Sequence, residues 1–150
     1  MALGDFRVLD GHRWGAFPYR TKAGQTAIKA GEFVLQDVSG DEEYVQVAPD
    51  ASDNDDIWVG VAVTNDTNSA SADGVVYVVD AVDAKFVGKP TTPGNLASTV
   101  LNTKVTLDVA STVQTIDEND TTKGVLMIKS YNTARNEVVV QIDRSDMLNS

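Results

Sequence analysis

Residues 57–90, IWVGVAVTNDTNSASADGVVYVVDAVDAKFVGKP, decide the fold class. Two apolar runs flank a linker of Ser, Asn, Ala and Asp, and the stretch holds no nucleophile, general base or soft metal ligand at a useful spacing. Ile57, Val59, Val61 and Val63 fall on one face of a period-two pattern, opposite Trp58, Gly60 and Ala62. β-Branched side chains favour extended backbone, where their restricted χ1 costs little. The segment therefore predicts two framework strands joined by a solvent-facing loop.

The same pattern continues outward. Val138, Val140 and Ile142 alternate with Glu137, Gln141 and Asp143, with Val139 the one break, and Val105, Leu107 and Val109 alternate with Lys104, Thr106 and Asp108. Further strands are expected at 32–38, 43–48, 75–82, 84–87, 112–116 and 124–130. Several are apolar on both faces, which suits the middle of a barrel or sandwich, or a contact between subunits. Turn formers separate the runs at Ser39-Gly40-Asp41 and at 49–56, 65–74, 91–95, 117–122 and 132–136. Valine outnumbers the other branched aliphatics, 22 against 8 Leu and 5 Ile. The expected class is all-β, a small antiparallel β-barrel or β-sandwich with little helix, the best helical segment being 95–101 with Asn95 as its cap.

Residues 1–22 read differently. Gly4, Gly11, Gly15 and Pro18 interrupt any periodicity, while Phe6, Trp14, Phe17 and Tyr19 supply four of ten aromatics. We expect an extended N-terminal arm over 1–22, followed by a single β domain over 23–150. Aromatic area and the planar, multi-donor guanidinium suit docking, which makes Phe6, Arg7, Arg13, Trp14, Phe17, Tyr19 and Arg20 the candidate contacts to a partner or a neighbouring subunit. The alternative is that the segment folds back over its own barrel.

Composition narrows the functions. At 150 residues one domain suffices, burying roughly 70% of the surface its unfolded chain exposes. With no cysteine, thiol catalysis, zinc–thiolate sites and disulfides are excluded. Residues 1–30 carry five basic side chains against two acidic, a net of +3, and the remainder carries −13, for −10 overall. So acidic a body argues against a nucleic-acid partner, even though the cations and aromatics of 1–22 interleave as in single-strand binders. No apolar core of signal-peptide length opens the chain, and its longest unbroken apolar run, 75–79, is too short for a bilayer, so no membrane partner is expected.

Catalytic groups are sparse. His12 is the single histidine, which excludes a two-histidine metal site and leaves a Ser-His-Asp triad only this residue, within GHRWG. Carboxylates cluster at Asp53, Asp55 and Asp56 and at Asp117, Glu118 and Asp120. An EF-hand loop starting at Asp50 requires Gly at 55 and Glu at 61, where the chain has Asp55 and Val61, so these read as solvated acidic loops or a weak cation site. No phosphate-cradling glycine pattern occurs. The expectation is a non-enzyme without cofactors.

Five motifs, AIKAGEFVLQDV (27–38), WVGVAVTNDT (58–67), GVVYVVDA (74–81), LNTKVTLDV (101–109) and ARNEVVVQI (134–142), occur in an order that resembles the capsid decoration, or cement, proteins of tailed bacteriophages. The resemblance spans about residues 20–143. It implies a small, mainly β structural protein on the outer surface of the virion capsid, commonly a homotrimer at local threefold positions, whose partners are the major capsid protein and itself. It carries no catalytic residues. The aromatic segment 1–22 and the loop 49–56 depart from the family's barest pattern. A second expectation is a carbohydrate- or receptor-binding β module, with Trp14, Trp58, Tyr44 or Tyr131 as stacking platform.

Overall fold

The computed structural model describes residues 6–37 and 43–148, apart from the side chain of His12. The turn expected at Ser39-Gly40-Asp41, and residues 1–5 of the expected arm, lie outside them. Among the described residues, eleven strands appear in chain order: β1 (Arg7–Val8), β2 (Phe17–Thr21), β3 (Phe33–Gln36), β4 (Tyr44–Val47), β5 (Trp58–Ala62), β6 (Gly74–Val79), β7 (Lys85–Gly88), β8 (Lys104–Ala110), β9 (Val113–Asp117), β10 (Leu126–Asn132) and β11 (Glu137–Ile142). The all-β class holds. Among the described residues, helix is confined to four three-residue 3₁₀ turns. Residues 95–101 form no capped helix: Pro93–Asn95 and Ser98–Val100 make separate turns, divided by extended backbone at Leu96 and Ala97, and neither receives a side-chain cap.

Strands β2 to β6 close a five-stranded barrel in the order β2-β4-β3-β5-β6, and the other six form a curled sheet in the order β1-β7-β11-β10-β8-β9. Pairing within the sheets is antiparallel except between β2 and β4, which run parallel where the barrel closes. Alternation along the barrel strands divides their apolar residues between two cores. Val34, Val45, Val59, Val76 and Val78 join Ile28 and Ala62 in a small valine-rich core. Phe33, Leu35, Trp58, Val61 and Val79 point the other way and merge with Phe86, Val105, Leu107, Ile128, Val138 and Val140 of the curled sheet into the larger core. β3 and β5 are thus apolar on both faces because each face meets a different core.

An irregularity in the β3–β5 register corrects the expected faces of β5. Val34 pairs with Gly60 but Leu35 pairs with Trp58, which leaves Val59 as the extra residue. Trp58 and Val61 therefore share the large core, while Val59 and Ala62 share the small one. Gly60 is required there, since a Cβ would stand 1.9 Å from the carbonyl oxygen of Val79.

The segment expected as an arm is, over residues 6–22, part of the fold. Phe6 is 1% exposed and lies edge-on to Phe33 at 4.5 Å between ring centres, with Trp58 and Phe86 at 5.6 and 5.5 Å from the same ring. Its seat exists because residue 88 is glycine: a Cβ would come within 2.1 Å of the Phe6 ring. β1 then pairs with β7, and β2 pairs with β6 along its whole length. Such aromatic contacts are worth about 0.5–1.5 kcal/mol each beyond simple burial. An isolated arm could not match that, and folding back is the outcome.

The loop between β5 and β6 is also less free than expected. Asp66 accepts hydrogen bonds from the Thr21 hydroxyl at 2.6 Å and from the amides of Asn68 and Ile28 at 2.9 and 3.3 Å. Asp73 accepts from the Ala23 amide, Arg20 and Tyr44. Two carboxylates thus stitch this loop to residues 20–28.

Candidate docking surface

The outer wall of the barrel runs out from under its cover. Val61 pairs with Val79 and Ala62 with Val78, which sets Val63 opposite Tyr77, and the Val63 amide donates to the Tyr77 carbonyl at 2.9 Å. Tyr77 in turn pairs with Pro18 on β2. Directly opposed residues share a face, so Val61 and Val79 in the large core continue outward into Val63, Tyr77 and Pro18. Val63 and Tyr77 are 43% and 44% exposed.

Beside this stripe lies a groove of about 540 Å³. Phe6, Val8, Trp14 and Ala16 line it together with Ala30, Gly31, Val61, Val63 and Val79. Its floor is stitched by main-chain bonds: Phe6 donates to the Gly31 carbonyl and Gly31 to that of Ala62, both at 2.8 Å. Asp10, left-handed at φ 52°, turns the chain off β1 into the 3₁₀ turn Gly11–Arg13, and Trp14 brings it back toward β2. His12 lies in that turn.

The candidate contacts divide. Phe6 is 1% exposed, its ring committed to the large core, and it reaches the groove only as part of its lining. Arg7 lines the groove while its guanidinium pairs with Glu137 at 3.1 Å. Arg13 lies over the Trp14 ring at 5.1 Å; Trp14 lines the groove, whereas Arg13 lines a separate shallow hollow with Asp10, Asp83 and Lys85. Phe17 is exposed but opposes Val78, on the other face of the sheet from Tyr77 and Pro18. Tyr19 is half-buried against the small core and donates to Asp80. Arg20 lies at the opposite end of β2, paired with Glu43 and Asp73 at 2.6 and 3.0 Å and stacked over Tyr44 at 5.0 Å. The sequence reading missed Val63, Tyr77 and Pro18, whose alignment depends on three strands; an exposed aromatic on a period-two strand was the available signal.

Of the four aromatics expected as a stacking platform, two are withdrawn from the surface to different degrees. Trp58 is fully buried, its indole N–H donating to the Asp53 carbonyl at 2.9 Å, and Tyr131 packs against the large core.

The acidic clusters are internally engaged. Asp53 and Asp56 accept backbone amides of their own loop, and Asp55 pairs with Lys123. Asp120 accepts from Thr106 and from the Thr122 amide. Glu118 is not solvated: it is 3% exposed, accepts from the Thr92 amide at 2.7 Å, and its second oxygen is buried without a partner. Burial, with the charges of Asp117 and Asp108 adding, pushes its carboxyl above the usual range; Asp108 is raised by burial and by Asp50. Among the described residues no group of three or more His, Asp or Glu side chains converges as a metal site.

No family model, curated protein or solved structure matches the chain. The molecule is defined by its own geometry: an all-β framework of a closed barrel and a curled sheet, with an apolar stripe and groove along their seam.

Proposed function

We propose that the protein is a capsid decoration protein of a tailed bacteriophage, a non-enzymatic cement that binds the outer capsid surface and bridges neighbouring capsid subunits as a trimer. The observation that carries this reading is the exposed continuation of the large core, Val63, Tyr77 and Pro18 beside the groove. An apolar face continuous with a core is stable only when small or when covered by a partner. Burial of each large side chain contributes about 1.5–3 kcal/mol before ordering costs, and a trimer repeats the contact three times. The order of sequence motifs supports the phage setting, and the acidic remainder of the surface suits an exposed, self-repelling particle.

The test is to mix purified protein with undecorated capsids and image them. Ordered, saturable density on the shell is expected, and a bare shell at saturating protein would dismiss the proposal.

A further inference from the structure

The outer edge of the curled sheet is covered by a strap. β9 is the last strand there, and residues 89–91 run alongside it: the Ile116 amide donates to the Lys89 carbonyl at 2.9 Å, and the Thr91 amide to the Ile116 carbonyl at 2.8 Å. Pro90 is buried, and Leu96 packs in the large core. Between these two anchors residues 91–94 are exposed, and the 3₁₀ turn Pro93–Asn95 has no side-chain cap. A hollow of about 300 Å³ is lined jointly by Pro90, Thr91 and Pro93 of this stretch and by Val113 and Thr115 of β9. The strap is therefore pinned at both ends and lightly held between them. Thr91 Oγ1 lies 2.7 Å from Thr115 Oγ1 and 3.4 Å from a carboxylate oxygen of Asp108, and the Thr92 amide donates to Glu118 at 2.7 Å.

Glu118 is a poor anchor when charged. It is 3% exposed, and its second carboxylate oxygen is buried without a hydrogen bond. The charges acting on it are of its own sign: Asp117 at the end of β9, and Asp108 on β8, which in turn has Asp50 of the loop after β4 against it. Among the described residues no basic side chain is ion-paired with it. A buried carboxylate lacking a full set of partners is costly, and a neutral carboxyl far less so.

We infer that residues 91–95 are a pH-operated strap, closed over β9 while Glu118 carries a proton and released when that carboxyl ionises and turns to solvent. Ionisation strengthens the bond from Thr92 but supplies no partner for the second oxygen, and lifting the strap lets water supply one. Buried Pro90 and Leu96 serve as the hinge points. Lifting also frees the Ile116 carbonyl, so the sheet gains an unpaired outer edge of the kind a further strand can join. Burial holds the Glu118 carboxyl above its ordinary value, so closure is complete at acid pH and fades as pH rises through the raised value.

Hydrogen exchange of the intact chain, corrected for the intrinsic rate at each pH, reads the strap at the Thr91 and Thr92 amides. Their protection is expected to fall at least about threefold between about pH 5 and about pH 8 in the wild type. In Glu118→Gln, which keeps an acceptor for Thr92 and cannot ionise, it is expected to stay level. Because the opening is local and exposes little surface, about 0.5 M urea is expected to leave the strap rates unchanged. Level protection in the wild type or an equal fall in the variant overturns the inference. So do strap rates that rise with urea in step with the core amide of Val125, which would mean global unfolding. Protection restored at high pH by calcium also overturns it, since the unpartnered oxygen would then belong to a cation site. If the variant does not fold, the wild-type pH and urea series decide alone.

Discussion

Gln114 does with one side chain what a strand edge does with its backbone. It is 3% exposed, accepts the Phe33 amide proton at 2.7 Å, and donates to the carbonyls of Phe33 and Ala48 at 3.3 and 3.0 Å. The amide therefore joins β9 of the curled sheet to β3 and to the residue after β4. Gln114→Leu strands the buried Phe33 N–H and is expected to cost about 1–3 kcal/mol, measured by urea unfolding. Glu118 behaves oppositely. Because burial raises its carboxyl above the ordinary value, its favourable contribution is complete below pH 4.5 and is lost as pH rises through the raised value. Glu118→Gln keeps an acceptor for the Thr92 amide and removes the buried charge. Its melting temperature is expected to exceed wild type at pH 8 and to match it near pH 4, as read by differential scanning calorimetry.

At the scale of the element, period-two patterning marked three strands and apolar runs between turn formers six more, while β1 and β2 escaped both signals for physical reasons. β1 is two residues long, and β2 contains Pro18 and mixes exposed Phe17 with half-buried Tyr19, so neither presents an alternating face. The faces of β5 were misread because the extra residue at Val59 belongs to its pairing with β3, a relation the sequence does not display. The candidate site was half legible. The aromatic and cationic composition of 1–22 marked the segment, but which ring turns inward depends on the space that Gly88 leaves for Phe6. Filling that space is a direct check: Gly88→Ala is expected to destabilise by about 1–3 kcal/mol or more, with loss of near-ultraviolet aromatic signal, because ring and Cβ cannot coexist. The exposed stripe should respond differently. Val63→Ser with Tyr77→Ser is expected to change stability by no more than about 1 kcal/mol in urea while abolishing capsid attachment.

For the whole molecule, charge sets how stability follows pH. Asp143 is held below its ordinary value by its bond to Lys104, so its contribution is present above pH 3.8 and lost as pH falls through the depressed value. Glu118, Asp108 and Asp146 are all raised chiefly by burial, so their contributions fade as pH rises. The two trends meet between them, and relief of the −10 net charge on mild acidification acts in the same direction as the raised groups. Thermal unfolding is expected to give a higher midpoint at pH 5 than at pH 8, with a decline below about pH 4. A midpoint rising steadily from pH 5 to pH 8 would contradict this balance.

The division of strands between the two sheets also orders the birth of the protein. All five barrel strands occupy a continuous stretch, 17–79, so the barrel can close as soon as that length leaves the ribosome. The first strand of the chain cannot follow suit, because β1 belongs to the curled sheet and its partner β7 is synthesised only after the barrel is complete. Phe6 must wait beside a finished barrel for Phe86 and Gly88 to arrive. The lining that Phe6, Val8 and Trp14 contribute to the groove is therefore completed late, and the barrel face that carries Phe33, Trp58, Val61 and Val79 stays uncovered until the second sheet exists.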